Sequence, residues 1–455
     1  MIQDLRIKKG VVTRFPPSPT GNLHIGSVRT ALFNYLFAKQ QGGKMHLRLE
    51  NTDVERSKTE YEKNILDSLE WLGLQSDPIG GKPFWRQSER IEIYRGYLKK
   101  LLDSGKAYLS SETNDDPVAE GLRRASVIRF KNPNVTVAFD DLVRGTIAFE
   151  TSELGDFVIA KSEQEPLYHL AVVVDDYEMG VTHVIRGEDH ISNTPRQILL
   201  QEALGFPRPT YAHIPLILAP DRSRLSKRHG AVAVTEYRDR GYLPEALLNY
   251  LALIGWNPGT NVEIFSLDEI IKLFDLSKVQ KGGAIFNEEK LRSINKIYLK
   301  KIGGTKHVVP HIPNELLVGR TETQTVALAE MLLERISVFA DIRTDFEKGE
   351  FDYLLHEPTV ESAKLSWKNQ TPDDAKEKLH TVEVLLQKLS DESFTKEMIT
   401  KEILPFAETA GKGNVLWPMR MALSGKDKSP DPFTLAVILG KDKVLKRLRN
   451  AQNVL

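Results

Sequence analysis

The sequence predicts an α/β fold that carries an inserted α+β module and is followed by an all-α carboxyl-terminal region. From about residue 10 to about residue 100, short strand patterns alternate with amphipathic helical patterns, as a parallel sheet requires. From about residue 107, short β runs follow one another, and helix–strand alternation returns near Tyr168. Beyond about residue 320 strand patterns nearly vanish, so the rest of the chain is predicted to be helical.

Composition narrows the class of protein. The 455 residues are enough for several domains with sizeable cores, and the 62 basic and 62 acidic side chains cancel. Global charge therefore gives no argument for a nucleic-acid partner, which must rest on local patches. No apolar run is long enough for a transmembrane helix, and the amino terminus lacks the apolar region of a signal peptide. The absence of cysteine excludes disulfides and thiolate zinc sites. These features predict a cytoplasmic protein.

The first strand, residues 11–13, leads through a loop rich in proline and glycine into a helix. An apolar stripe along this helix predicts one buried face, formed by Val28, Ala31, Leu32, Tyr35 and Leu36. Such a turn presents backbone N–H groups and the positive end of a helix dipole, so it suits a phosphate. Gly21 and Gly26 allow a ligand to approach closely, and His24 adds a donor. The alternative is a plain strand-to-helix turn with a polar capping residue.

The second strand, residues 44–50, ends at Glu50, as the first ends near Arg14. Ligands of open α/β sheets bind at the carboxyl ends of the strands, so both side chains are candidates for a binding site. A structural ion pair between Arg14 and Glu50 is the alternative. A helix over residues 61–74 follows, with an apolar side made by Ile65, Leu66, Leu69 and Leu72.

Residues 222–230 hold four basic side chains and His229, directly after residues 213–218, which are predicted to form one buried strand. A mobile ammonium in such a loop can neutralise phosphoryl oxygens as charge develops on them. By composition alone the segment is more often a solvated loop.

A second basic segment, residues 440–449, lies near the carboxyl terminus. Val444, Leu445 and Leu448 share one face of the predicted helix, which would leave the basic groups outside, where they could neutralise phosphate. A solvated helix surface is the alternative.

The two loop motifs together resemble the signatures of class I aminoacyl-tRNA synthetases. Residues 14–27 contain Pro-Ser-Pro-Thr-Gly and His-Ile-Gly, the glutamyl form of the first signature, with Ser27 in place of its last histidine. Residues 225–227, Leu-Ser-Lys, resemble the second signature, with Arg224 in place of its first lysine. The likeness to the bacterial glutamyl-tRNA synthetase family extends over nearly the whole chain, through residues 85–90, 168–176, 186–190, 247–256 and 415–425.

This resemblance implies a Rossmann-like catalytic domain followed by a helical anticodon-binding region. The first half of the catalytic domain is expected at 1–106, a shortened insertion for the tRNA acceptor end at 107–167, and the second half at 168–235. A helical region contacting the tRNA stem is expected at 236–315, and two anticodon-binding subdomains at 316–385 and 386–455.

The resemblance also implies site residues. The catalytic residues are expected to be His24, Gly26 and Lys227. The expected ATP-binding residues are Pro17, Thr20, Gly21, His24, Gly26, Asp189, Arg224, Leu225, Ser226, Lys227 and Arg228. The expected glutamate-binding residues are Arg14, Ser18, Glu50, Tyr168 and Arg186. The guanidinium groups suit the substrate carboxylates, and Glu50 suits the ammonium. Asp189 could instead cap a helix that begins near Ser192.

The implied reaction is ATP-dependent formation of glutamyl adenylate, followed by transfer of glutamate to tRNA(Glu). ATP is expected with Mg²⁺, although no dedicated metal cage is visible, and no zinc is expected because the short insertion has no cysteine. The family suggests a monomer with no membrane partner. Two alternatives stay open: an enzyme that also charges tRNA(Gln) with glutamate, and an RNA-binding paralogue without catalysis. A glutaminyl-tRNA synthetase is disfavoured because its typical Pro-Glu-Pro-Asn-Gly motif is absent.

Overall fold

The computed structural model describes residues 10–53, 55–111, 126–223, 225, 233–302 and 304–455. The chain forms two compact units, Met1–Ile294 and Asn295–Leu455. Within the described ranges, none of the helices combines the length and the apolar character that crossing a membrane requires.

A parallel sheet forms the centre of the first unit. Strand β1 (Val12–Phe15) pairs in parallel with β2 (Lys44–Leu49), which pairs in parallel with β3 (Trp85–Arg86). On the other side of β1, Thr182 donates its N–H to the carbonyl of Val12 at 2.9 Å. The strand that follows Thr182 therefore continues the layer, and the predicted α/β architecture with a Rossmann-like sheet is confirmed.

The remaining strands include those of the predicted insertion. They are β4 (Ala107–Ser111), β5 (Ser126–Phe130), β6 (Thr136–Asp141), β7 (Gly145–Glu150), β8 (Phe157–Ser162), β9 (Glu165–Pro166), β10 (His183–Gly187), β11 (Thr210–Ile214), β12 (Ile217–Leu218) and β13 (Ala284–Ile285). Strands β4, β5, β8 and β9 form an antiparallel sheet. Strand β10 pairs in parallel with β11, and β11 touches β6 of the β6–β7 hairpin. The hairpin thereby brings the insertion to the edge of the central layer.

Helices alternate with these strands along the chain. In the first part of the chain they are α1 (Ile25–Gln40), α2 (Thr59–Trp71), α3 (Ile91–Asp103), α4 (Tyr168–Glu178), α5 (Thr194–Leu204), α6 (Val234–Asp239), α7 (Pro244–Leu253), α8 (Leu267–Leu273) and α9 (Glu288–Lys301). Four of the five positions of the predicted stripe on α1 are fully buried, and Tyr35 is half-buried. Helix α1 therefore has the central position that the apolar pattern predicted.

The prediction of one continuous strand over residues 213–218 is wrong. Strand β11 ends at Ile214, and Ile217–Leu218 form the separate strand β12, which pairs with β13. Pro215 separates the two because proline has no N–H to donate to a ladder. The carbonyl of Pro215 instead accepts a hydrogen bond from Arg29 Nη1 at 2.7 Å.

The second unit is helical throughout its described residues, as predicted. Its helices are α10 (Thr305–Val308), α11 (Asn314–Leu317), α12 (Glu322–Arg335), α13 (Ala340–Glu347), α14 (Asp352–Leu355), α15 (Ser362–Leu365), α16 (Pro372–Gln387), α17 (Lys396–Ala410), α18 (Lys412–Ser424), α19 (Pro432–Leu439) and α20 (Lys441–Val454). Buried leucine, isoleucine and methionine side chains from α12, α16, α17, α18 and α20 form its core.

Helix α20 corrects the prediction that its basic groups all lie outside. Val444, Leu445 and Leu448 are buried as expected, but so is Arg447, with 4% of its surface exposed. Position 447 follows 444 by three residues, which places both on the same helix face. Arg447 donates to the carbonyls of Tyr353, Leu423 and His356.

Candidate active site

A cavity of about 690 Å³ opens at the carboxyl ends of β1, β2 and β10. This is the edge at which an open α/β sheet binds its ligands. Ten of the residues predicted for the site line it: Arg14, Pro17, Ser18, His24, Gly26, Glu50, Tyr168, Arg186, Asp189 and Leu225. Thr20 and Gly21 are not among its lining residues.

The amino terminus of α1 faces this cavity. His24 is the N-cap residue, and its Nδ1 accepts the N–H of Ser27 at 3.3 Å. A Cβ on Gly26 would lie 3.1 Å from the imidazole, so glycine gives the ring the room to fold over the first turn. The described first turn holds no acidic side chain. The dipole of α1 and the His24 ring are therefore both directed at space that suits an anion.

Arg186, on β10, is a buried cation whose hydrogen-bond partners are all neutral. Its Nε donates to His213 Nε2 at 3.1 Å, its Nη1 to Gln197 Oε1 at 2.8 Å, and its Nη2 to Thr194 Oγ1 at 2.8 Å. Among the described residues no carboxylate forms a salt bridge with it. Burial lowers the pKa of Arg186, because the charged form loses its hydration. A substrate carboxylate would supply the missing counter-charge.

Arg14 is a buried cation with a different environment. Its Nε lies 3.2 Å from Asp176 Oδ1, and Asp176 also accepts from Arg48 Nη1 at 2.6 Å. The ion pair of Glu50 is with Arg48, whose Nη2 lies 2.9 Å from Oε1. The alternative of an Arg14–Glu50 ion pair is therefore wrong: each side chain has another partner, and both line the cavity.

Glu50 keeps one carboxylate oxygen available. Among the described residues only Oε1 is engaged, by Arg48, and Oε2 accepts no hydrogen bond. Burial raises the pKa of Glu50, against the opposing effect of Arg48. The backbone of Glu50 is fixed by its N–H, which donates to the carbonyl of Pro17 at 3.0 Å. That bond ties the end of β2 to the proline-rich loop.

Two hydroxyl groups complete this end of the cavity. Tyr168 is the first residue of α4, and its hydroxyl lies 3.3 Å from His190 Nδ1. Burial raises the pKa of Tyr168. Burial, reinforced by Arg186, lowers the pKa of His190 to about 4, so the imidazole is neutral at neutral pH. Ser18 is exposed on the loop after β1.

Asp189 lies in a 3-10 helix, Glu188–Asn193, that precedes α5. Helix α5 begins at Thr194, its N-cap residue is Asn193, and no side chain caps it. The alternative role of Asp189 as a cap for a helix near Ser192 is thus wrong. A Cβ on Gly187 would lie 2.4 Å from Asp189 Oδ1, so Gly187 leaves room for this carboxylate at the cavity.

Four residues predicted from the second signature lie outside the described residues: Arg224, Ser226, Lys227 and Arg228. Leu225, which lies within this segment, and Ala233, which follows it, are described. Leu225 and Ala233 both line the cavity, and the N–H of Val234 donates to the carbonyl of Leu23 at 2.9 Å. The chain therefore enters and leaves this segment beside the turn that carries His24.

The sequence analysis did not identify the buried residues that bond to the predicted site residues. Arg48, Asp176 and His213 are buried and bond directly to Glu50, Arg14 and Arg186. A usable signal existed for Asp176, because it ends a long apolar run in α4, where a carboxylate needs a buried partner. In the described part of the chain, no cluster of three or more histidine and acidic side chains is arranged to hold a metal ion.

Comparison with known proteins agrees with this geometry. Residues 10–125 and 118–293 match the family of class I tRNA synthetases (E and Q), catalytic domain, and residues 289–452 match an anticodon binding domain. The chain is 40% identical to a glutamate–tRNA ligase of Carboxydothermus hydrogenoformans over 97% of this chain and 100% of the relative. It is 41% identical to one of Heliobacterium modesticaldum, covering 97% of each chain.

A solved structure shows the same fold. The crystal structure of a glutamate tRNA ligase from Elizabethkingia meningosepticum in complex with its amino acid superposes with a TM-score of 0.83 and 32% identity. The match covers 98% of this chain and 100% of that one.

Proposed function

The chain belongs to the glutamate–tRNA ligase family of class I tRNA synthetases, and we propose from this premise that it attaches L-glutamate to tRNA(Glu). Enzymes of this class use ATP. The activated species is a glutamyl adenylate, and the other products are pyrophosphate and AMP. The observation that carries the proposal is the cavity in which Arg186, a buried cation with only neutral partners, shares the walls with Glu50.

Glutamate needs two cations and one anion. Arg14 and Arg186 supply guanidinium groups for its carboxylates, and Glu50 offers Oε2 to its ammonium. The hydroxyls of Tyr168 and Ser18 add neutral hydrogen bonds. Because Arg14 is already neutralised in part by Asp176, Arg186 should contribute more of the electrostatic attraction.

ATP binds at the other end of the cavity. The amino terminus of α1, with Gly26 and His24, receives phosphate oxygens, and Pro17, Thr20 and Gly21 form the loop beneath the nucleotide. Asp189 and the segment that holds Arg224, Leu225, Ser226, Lys227 and Arg228 complete this subsite. The position of Leu225 and Ala233 on the cavity wall supports that assignment.

Two steps follow from this arrangement. The α-carboxylate of glutamate attacks the α-phosphorus of ATP, and Lys227 neutralises charge on the departing pyrophosphate. A terminal ribose hydroxyl of tRNA then attacks the carbonyl of the adenylate. The protein contributes positioning and charge stabilisation. The described residues offer no acidic cage, so Mg²⁺ would arrive with the phosphates of ATP, where it supplies positive charge.

The rest of the chain serves the tRNA. Residues 107–167 are assigned to the acceptor end, 236–315 to the stem, and 316–385 and 386–455 to the anticodon, in line with the anticodon-binding match over 289–452. The protein is proposed to act as a monomer in the cytoplasm, where the tRNA substrates are.

Aminoacylation tests the proposal. Purified protein is given ATP and radiolabelled glutamate or glutamine, with separately purified tRNA(Glu) and tRNA(Gln). Glutamate on tRNA(Glu) is expected, and glutamine on neither. If glutamate also enters tRNA(Gln), the enzyme is the non-discriminating type. If neither tRNA accepts glutamate, the proposed function is wrong, and tRNA binding without charging would identify the RNA-binding paralogue.

A further inference from the structure

A chain of buried hydrogen bonds connects the insertion to Arg186. Asp141, the last residue of β6, lies 2.6 Å from His213 Nδ1 through its Oδ2. The opposite ring nitrogen, His213 Nε2, lies 3.1 Å from Arg186 Nε. The side chains of Asp141 and His213 have no exposed surface, and Arg186 is 5% exposed. The bond between Asp141 and His213 is therefore shielded from solvent, and Arg186 meets the cavity at the end of the chain of bonds.

The hydrogen-bond partners determine which tautomer His213 adopts. Hydrogen bonds from the His213 ring and from the N–H groups of Arg144, Val143 and His213 lower the pKa of Asp141, although burial opposes them. The carboxylate is thus ionised at neutral pH and can only accept a hydrogen bond. The proton of the neutral imidazole must then lie on Nδ1, which leaves the lone pair of Nε2 directed at Arg186.

Thr194 is the other group near Nε2, since its Oγ1 lies 3.1 Å away. That hydroxyl accepts from Arg186 Nη2 and can donate to the carbonyl of His190 at 3.3 Å. It therefore leaves Nε2 to the guanidinium. The other tautomer would bring two N–H donors together, His213 Nε2 against Arg186 Nε, among buried side chains.

We propose that His213 is a positioning residue for amino-acid binding: it accepts a hydrogen bond from Arg186 Nε and so holds the outer edge of the guanidinium toward the cavity. Asp141 fixes the His213 tautomer that can accept this bond. The inference rests on the proposed function, because it assigns Arg186 to a carboxylate of glutamate. An Asp-to-Asn change beside a histidine elsewhere in enzymes keeps the geometry but selects the wrong tautomer. The same chemistry applies to Asp141.

Two substitutions at His213 separate positioning from packing. His213→Gln can still present an oxygen to Arg186 Nε, whereas His213→Leu fills the space without an acceptor. Steady-state aminoacylation should show a glutamate KM raised roughly 10- to 100-fold in H213L and within about threefold of wild type in H213Q, with the ATP KM unchanged in both. Equal glutamate KM values for the two variants would overturn the proposal.

Asp141→Asn tests the tautomer, and Asp140→Asn is its matched control. Asp140 is the neighbouring residue of the same strand; it is exposed and its carboxylate accepts a hydrogen bond from the Thr146 hydroxyl at 2.7 Å, so its change removes the same charge. D141N should raise the glutamate KM at least about tenfold, with a smaller change in kcat, and D140N should leave both unchanged. Equal behaviour of the two variants would contradict the role given to Asp141.

A measurement on the wild-type protein keeps the test valid if the variants unfold. Long-range ¹⁵N–¹H correlation of the histidine rings reports the tautomer directly, and the His213 signal is assigned by elimination, with single substitutions at the other ten of the eleven histidines. A ring protonated on Nδ1 alone at about pH 7.5 is expected for His213. An Nε2-protonated ring or an imidazolium would overturn the proposal. A wild-type protein that charges no tRNA would instead disprove the proposed function and leave the NMR result standing by itself.

Discussion

Arg48 Nη1 lies 2.6 Å from Asp176 Oδ1, and neither residue lines the cavity. The pair fixes two residues that do. Asp176 also binds Arg14, and Arg48 also binds Glu50. A cation and an anion of the cavity wall are thus held by one buried ion pair behind them. The arrangement keeps Arg48 charged, because Asp176, Glu50 and Asp175 raise its pKa in opposition to its burial.

The first prediction concerns Asp176→Asn. The change leaves two buried guanidinium groups short of one counter-charge, so the free energy of unfolding should fall by about 3–5 kcal/mol. Urea denaturation followed by circular dichroism measures it. Asp67→Asn is the control, since Asp67 is partly exposed and pairs with Lys63 on the surface. Equal urea midpoints for the two variants would show that the buried pair does not stabilise the fold.

The pH dependence of that difference has a defined sign. Arg14 and Arg48 lower the pKa of Asp176 below its ordinary 3.8, although burial opposes them. The stabilisation is therefore complete above the ordinary value and is lost as pH falls through the lower value of the folded protein. The difference between wild type and D176N should stay constant down to about pH 4 and shrink below it.

The fold was largely predictable because the apolar spacing of each helix or strand can be recognised within its own stretch of sequence. The stripe on α1, the strand that ends just before Glu50 and the helical carboxyl-terminal region all follow from spacing. Arg447 was mispredicted because charge was taken to mean exposure, although its spacing from Val444 placed it on the buried face. Burial of an arginine depends on three carbonyls from distant segments, and no local pattern contains them.

The residues that we assign to the substrate were proposed from motifs, whereas the residues that hold them in place were not identified from the sequence. Arg14 and Glu50 lie at strand ends, which the chain order reveals. Their partners Asp176 and Arg48 come together only when α4 packs behind β1 and β2. Likewise, the bond between Asp141 and His213 joins the insertion to β11, which sequence spacing cannot anticipate.

Arg186→Gln should separate binding from stability. The variant loses a buried charge that has only neutral partners, so its thermal midpoint should stay at or above that of wild type. The glutamate KM should rise about 100-fold, because a charged hydrogen bond to a carboxylate is lost. Aminoacylation kinetics and a thermal melt measure both effects. Arg208 is an exposed arginine that pairs with Glu202, and Arg208→Gln should change neither quantity. An R186Q variant that is sharply destabilised but has the wild-type KM for glutamate would refute the assignment.

The pKa of Glu50 is shifted in the opposite direction from that of Asp176, although both groups lose their charge as the pH falls. Burial raises the pKa of Glu50 above 4.5, so the group loses its charge at a higher pH than an exposed glutamate does. The glutamate KM should therefore rise as the pH is lowered from about 8 to about 5, while the substrate keeps its own charges. Glu50→Gln should have a high KM that does not vary over this range. Glu60→Gln, at an exposed position, should follow the wild-type curve; an E50Q curve that also does so would exclude Glu50.

Lys227→Ala tests the second signature. Removing the ammonium should slow adenylate formation by about two to three orders of magnitude, because charge on the departing pyrophosphate is no longer neutralised. The affinity for tRNA should stay near that of wild type. ATP–pyrophosphate exchange and filter binding measure the two properties. Lys99 is an exposed lysine on α3, and Lys99→Ala should change neither adenylate formation nor tRNA affinity. Near-normal exchange in K227A would show that another group neutralises the phosphates.

Arg447→Ala should destabilise the second unit without removing an RNA contact. The carbonyls of Tyr353, Leu423 and His356 would lose their donor, which should lower the free energy of unfolding by about 3 kcal/mol. Lys446→Ala is the matched control, since the neighbouring side chain is exposed and pairs with Glu357. Below the unfolding transition, R447A should bind tRNA with the wild-type salt dependence, because a buried guanidinium releases no counterion from phosphate. A flatter salt slope in R447A would mean that the side chain reaches the RNA after all.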